Sequence, residues 1–267
     1  MKKILLSLVF ISATTLCFSQ KSRGYDAQSY LRDYQTNGDI KSLNKAQENI
    51  DSASVHPTTK NDPFIQATKG EIYLALYDAD KNETTKAFST ISDEQKRALA
   101  IFENTPTASL HIAYEALKKL KELDVKGKYK DELKRTTEIA TYLDNSGRAK
   151  LNAQKYNDAL KEFEVAYEIN NTDTTLLYLC AVSADYAGNT NKTIKYYTIM
   201  CSGNTSKAND FLSLSNAYFT QKDTSKALET LANGRKKFPD DINLAIVEAN
   251  HFIKEKRGEE ILDGINT

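Results

Sequence analysis

Apolar positions recur along this chain with a helical rhythm, three or four residues apart, and nowhere with the strict alternation of a strand. The clearest register lies in the C-terminal half. Phe211, Leu214, Ser215, Tyr218, Ala227, Leu231, Gly234 and Pro239 stand at spacings of 3, 1, 3, 9, 4, 3 and 5. Stepping back 34 residues gives Leu177, Cys180, Ala181, Ala184, Thr193, Tyr197 and Met200. A second step of 34 gives Leu143, Ser146, Gly147, Lys150, Ala159, Phe163 and Ala166, with Asn171 beside the proline slot. Small residues in each set let two antiparallel helices approach, and large ones fill the space between neighbouring hairpins. One hairpin cannot bury both faces, so the pattern predicts a stack. Gly188-Asn189, Gly203-Asn204 and Pro239-Asp240 fall where the chain must turn.

The N-terminal half carries a more degenerate pattern. A helix about Pro63–Tyr77 offers Gly70 and Tyr73, and its partner, Leu110–Leu123, offers Ala113, Leu117 and Leu120. Tyr73 and Ala113 are 40 apart where an intact unit has 9, so a 31-residue insertion, roughly 79–107, interrupts this unit. Ser92-Asp93-Glu94-Gln95 reads as a capping box opening a short helix to about Phe102. Ala46, Ile50 and Ala53 mark an earlier second helix, with Tyr30 and Tyr34 on a short helix before it. His56-Pro57 to Asp62-Pro63 is a turn segment, and Val125–Tyr129, with Gly127, links to a helix starting near Lys130. Ile242–Glu255 starts a further unit with Leu244, Ala249 and Phe252 as core candidates. Too few residues follow Gly258 for a full partner helix. Either this edge is open, for self-association or another cover, or a short helix Glu259–Ile265 closes it.

The first residues read as an address. Lys2 and Lys3 precede an apolar run of 13 residues, Ile4–Leu16, and Cys17-Phe18-Ser19 puts small residues at −3 and −1 before Gln20. This is a secretory signal pattern, with 1–19 cleaved, and it predicts a periplasmic or secreted protein. Lipidation at Cys17 is the alternative, although Leu16 stands where a lipobox wants a small residue. The run is short for a membrane span, and no later stretch is long and apolar enough to be one. Thus 20–62 forms a first degenerate unit, 63–129 a second with the insertion, and 130–267 the regular array, with three clear units at 141–239.

Composition sharpens the picture by exclusion. Of 267 residues, 40% are hydrophobic, enough for a core. Only 10 are Gly and 4 Pro, too few for a turn-rich sandwich or barrel. Basic and acidic residues balance at 36 each, so nothing favours nucleic acid or an anionic membrane surface. No phosphate-binding loop, nucleophile elbow or H-E-x-x-H helix is present. His56, His111 and His251 read as solvated or partly packed side chains, and Lys118-Lys119-Leu120-Lys121 is a short basic run balanced by Glu115 and Glu122. Asp78-Ala79-Asp80-Lys81-Asn82 lacks the Gly and closing Glu of a calcium loop and is expected to be a turn. Glu162, Glu164 and Glu168, interleaved with Lys, are expected on a solvated helix face. Cys180 and Cys201 fall on the two helices of one hairpin, where they are either bridged or two apolar-like thiols.

With its W-x2-L-G-x2-Y … A-x3-F … P spacing, most complete in Tyr156-Asn-Asp-Ala159-Leu-Lys-Glu-Phe163-Glu-Val-Ala166, the chain resembles the tetratricopeptide-repeat family. Leu143, Leu177 and Phe211 replace the usual Trp. The likeness covers roughly 26–267 and suggests secreted bacterial members with five or six repeats. It implies an all-α, right-handed superhelical solenoid that binds a protein or peptide segment in a concave groove, with no catalysis, metal or cofactor. By register the groove would be lined by Arg148, Leu151 and Asn152, then Tyr178, Val182, Asp185 and Tyr186, then Leu212, Asn216 and Phe219, then Ile246 and Asn250. The cation–amide clamp that other members use for a terminal carboxylate is not reproduced, because Tyr178 and Leu212 occupy cation slots. Some of the apolar residues have a second reading, as packing against the next unit. Two other functions stay in view: an envelope-associated assembly factor, if Cys17 is lipidated, and a ligand-binding protein or enzyme using the 79–107 insertion.

Overall fold

The computed structural model describes residues 2–254, with the side chains of 20–253. The described residues form twelve α-helices and no strand. In order they are α1 (Lys2–Asn37), α2 (Ile40–Val55), α3 (Pro63–Ala87), α4 (Glu94–Asn104), α5 (Ala108–Leu123) and α6 (Lys130–Asn152). Then follow α7 (Tyr156–Ile169), α8 (Thr174–Tyr186), α9 (Thr190–Ser202), α10 (Ala208–Thr220), α11 (Thr224–Lys237) and α12 (Ile242–Lys254). The chain divides into two compact units, one up to Ala149 and the other from Lys150.

In the second unit the 34-residue period is physical. α8, α10 and α12 start at Thr174, Ala208 and Ile242, and α7, α9 and α11 at Tyr156, Thr190 and Thr224. The ends of the first helices repeat as well. Lys155, Asn189 and Asp223 donate their backbone N–H to the carbonyls of Lys150, Ala184 and Tyr218, at 2.8, 2.9 and 2.9 Å. These are Schellman closures, which need a left-handed residue just before the donor. Gln154, Gly188 and Lys222 supply it with φ of 60°, 69° and 62°. Asn189 and Asp223 then cap α9 and α11, accepting from the N–H of Lys192 and Lys226. Ala159, Phe163, Ala166, Cys180, Ala181, Ala184, Ala227 and Leu231 are all fully buried. The chain is thus built of helical hairpins of the tetratricopeptide type, as the spacing predicts.

The first unit keeps the scheme with an interruption. Ala46, Ile50 and Ala53 are buried on α2, and Gly24, Ala27 and Leu31 form the face of α1 that is buried. Tyr30 and Tyr34 are only half-buried. α1 is one continuous helix from Lys2. The leader's side chains, Cys17 included, lie outside the described residues, as does the segment Glu259–Ile265. α3 and α5 pair across the insertion. A Cβ on Gly70 would lie 2.6 Å from Leu117 Cδ2 and 2.9 Å from its Cγ, so only glycine allows this approach. Gly70→Val is expected to destabilise the first unit by about 1–3 kcal/mol through overpacking, read as a lower urea midpoint. An unchanged midpoint would mean that α3 and α5 do not meet as drawn.

Three expectations are corrected. Asp78–Asn82 is not a turn: α3 runs ten residues beyond Tyr77, because Leu74 and Tyr77 are buried and Lys81 continues that side over the Tyr142 ring at 4.5 Å. The Asp78 carboxyl is raised by burial and then by the nearby Glu138. The insertion helix α4 is capped by Asp93, one residue after the serine of the expected box, with its carboxylate accepting from Lys96 N–H at 3.0 Å. Finally, Glu162 is not on a solvated face. It is 3% exposed and accepts from Lys150 Nζ at 2.5 Å, while Glu164 pairs with Lys192 at 2.6 Å and accepts from Tyr196 at 2.7 Å. Of the three glutamates only Glu168 is exposed. The 34-residue register puts Lys150 in a slot otherwise held by Ala184 and Tyr218, so its ammonium needs an internal carboxylate.

Candidate functional site

In the second unit, the outward stripe of each first helix is set by the inward one. On α8 the buried residues Leu176, Leu177, Leu179, Cys180, Ala181, Ser183 and Ala184 leave Thr174, Tyr178, Asp185 and Tyr186 exposed and Val182 half-buried. On α10 Phe211, Leu214, Ser215 and Ala217 are buried, Asn216 is exposed, and Leu212 and Phe219 are half-buried. On α12 Leu244 and Phe252 are buried, while Ile242, Ile246, Asn250 and Ile253 are exposed. Helical geometry puts each of these sets on one side of its helix. Equivalent positions then run across the helices. Tyr178, Leu212 and Ile246 are 34 apart, as are Val182, Asn216 and Asn250, and as are Asp185, Phe219 and Ile253.

The expected residues therefore divide. Tyr178 is 47% exposed, Tyr186 62% and Ile246 46%, with Asn216 and Asn250 also open. Tyr186 leans on the Tyr156 ring, centroids 5.1 Å apart. Leu212 and Phe219 instead pack against the cluster of Phe211, Leu231 and Leu244. Phe219 also stacks on His251 at 4.9 Å, which joins α10 to α12. Their packing role accounts for half of each side chain and leaves an edge on the stripe. Asn152 is exposed and Leu151 half-buried at the end of α6. Arg148 lies in the first unit, exposed, with its guanidinium on Asp144 at 2.8 Å.

Sequence reasoning missed Ile242 and Ile253, which are 70% and 62% exposed. Ile253 stands 34 residues after Phe219, so the same step that found Asn250 would have found it.

The face can bind but has no reactive centre in view. Its one acid, Asp185, has a carboxyl raised by burial. Cys180 and Cys201 are both free thiols, pushed up to about 12 by burial, so they are protonated and inert at neutral pH. Among the described residues no cluster of His, Cys, Asp or Glu could hold a metal ion, and no helix is long and apolar enough to cross a membrane.

No protein-family profile matches the chain, and neither does any curated protein sequence. Solved structures with a similar chain path include the MamA protein, at 15% identity and a TM-score of 0.35 over 81% of this chain and 92% of that one. Another is the pilF protein of Pseudomonas aeruginosa, at 14% identity and a TM-score of 0.34 over 86% of this chain and 99% of that one. A third is a tetratricopeptide repeat protein from Parabacteroides merdae, at 15% identity and a TM-score of 0.35 over 92% of this chain and 91% of that one.

Proposed function

We propose that this chain is an exported scaffold without catalysis of its own, and that it binds an extended protein segment along the exposed stripe of α8, α10 and α12. The observation that carries the reading is the in-register row Tyr178–Leu212–Ile246 flanked by the open amides Asn216 and Asn250. Apolar side chains of a bound segment would lose water against the row. Its backbone would find donor and acceptor on the two amides, which matters because an unpaired buried backbone group costs about 1–3 kcal/mol. The stripe carries no cation, so a neutral stretch fits it better than an acidic terminus. Export rests on the leader pattern alone.

Capture of binding proteins from the native cell envelope tests this. Tyr178→Ala combined with Asn216→Ala and Ile246→Ala should weaken capture at least tenfold, since anchor residues of an interface each contribute more than about 1 kcal/mol. Thermal unfolding should barely change, because the three side chains are exposed or polar. Lys161→Ala, on the opposite helix of its hairpin, should alter neither. Full capture by a folded triple variant would place the interface elsewhere.

A further inference from the structure

The second unit contains a cavity of about 670 Å³ where the end of α9 and the Gly203–Lys207 loop meet the starts of α8 and α10. Its apolar wall is Tyr167, Leu177, Tyr178, Ile199 and Met200. The array itself shows why the space is open. One repeat later, the position of Asn204 is taken by Phe238, and the position of Leu177 by Phe211. There the Phe238 ring packs edge-on against Phe211, 5.9 Å between centroids, and completes the cluster with Leu231 and Leu244. In the earlier repeat Asn204 is exposed, so no ring covers Leu177. The loop is held from behind by Lys237 Nζ, which donates to the Gly203 carbonyl at 2.9 Å. Inside the cavity, Ser206 Oγ is screened from water and has no hydrogen-bond partner.

We propose that this cavity is the anchor pocket for an uncharged aromatic side chain, phenyl or phenol, of the bound segment. Three observations converge on that class. The next repeat fills the equivalent space with a phenyl ring. The wall is apolar and includes two tyrosine rings for edge or offset contact. Ser206 offers a hydrogen bond to a phenol. Asp210, the one acid lining the cavity, already accepts from Lys207 N–H at 2.8 Å, so nothing there selects a charged group. The proposal deepens the reading of the stripe, because Tyr178 belongs to both: a segment lying along α8, α10 and α12 would place one aromatic residue here.

The probes are capped amino acids, which are too short to span the stripe. N-acetyl-L-tyrosinamide and N-acetyl-L-phenylalaninamide should shift the NMR signals of Leu177, Met200 and Gly203–Lys207 in the wild-type chain, with dissociation constants on the order of 1 mM. N-acetylglycinamide should bind at least tenfold more weakly. Asn204→Phe plugs the cavity with the chain's own ring, as Phe238 does, and should abolish the shifts while the unfolding temperature holds or rises. Asn204→Ala should keep them. Shifts spread elsewhere, equal binding of N-acetyl-L-leucinamide, or undiminished binding by folded Asn204→Phe would each overturn the proposal. If Asn204→Phe fails to fold, the wild-type spectra and the leucine comparison decide alone. The triple variant of the stripe changes two residues far from the cavity and one on its wall. Its Asn216→Ala/Ile246→Ala subset should therefore leave capped-tyrosine binding intact, so failure of the pocket and failure of the stripe are told apart.

Discussion

Lys150→Met is expected to destabilise the second unit by about 3–5 kcal/mol, because it strands the Glu162 carboxylate in the interior. The lysine side chain is 12% exposed and the glutamate 3%, with Nζ on Oε1 at 2.5 Å. A lone buried charge keeps its desolvation cost and loses its compensation. At 2–4 °C per kcal/mol the unfolding temperature should fall roughly 6–20 °C. Adding Glu162→Leu should restore most of that loss, since an apolar pair of similar volume is often as stable as a buried ion pair. A double variant no better than the single one would mean that the pair fixes a geometry no apolar pair can replace. A single variant within about 0.5 kcal/mol of wild type would put the pair in water, contrary to its burial.

Phe163→Ala should cost about 3–5 kcal/mol. The ring is fully buried on α7, between Ala159 and Ala166, whose methyl groups are equally inaccessible. Truncation leaves a void that neighbouring helices cannot close, since their approach is already set by those alanines. The urea midpoint of the transition that includes α7 should fall with its slope unchanged. Tyr186→Ala, on an exposed aromatic of similar size, should shift the same midpoint by no more than about 0.5 kcal/mol. Equal effects at the two positions would mean that the helical register is wrong.

The contrast between these two residues was legible in the sequence, because both follow from a period. Phe163, Tyr197 and Leu231 share one slot 34 apart, and all three are buried. Asn216 and Asn250 share another, and both are exposed. Half of the stripe was read correctly as open. Leu212 and Phe219 were not separable from it, because a residue on the boundary between faces is divided by how closely the next hairpin docks. That docking depends on Phe211, Gly234 and Leu244 together. A Cβ on Gly234 would lie 2.9 Å from Phe211 Cβ and 3.1 Å from Leu244 Cδ2, so the hairpins close up there.

By itself the sequence determined what depends on local spacing. It carried the helical class, the 34-residue unit, the small residues at helix contacts and the hairpin turns, because each is a relation between residues near in the chain. It also carried the pairing of α3 with α5 across the insertion, since Gly70 and Leu117 keep their slots. The tertiary structure decided what depends on distant partners. Glu162 lies among lysines in the sequence like a surface residue, and only the slot of Lys150 on another helix draws it inward. Asp78–Asn82 has the composition of a turn, yet the burial of Tyr77 beside Tyr142 carries α3 through it, with ring centroids 4.8 Å apart. The cavity at Asn204 needed both levels. The missing ring is visible in the sequence only after the structure shows what Phe238 covers, because a void is a property of the atoms around it.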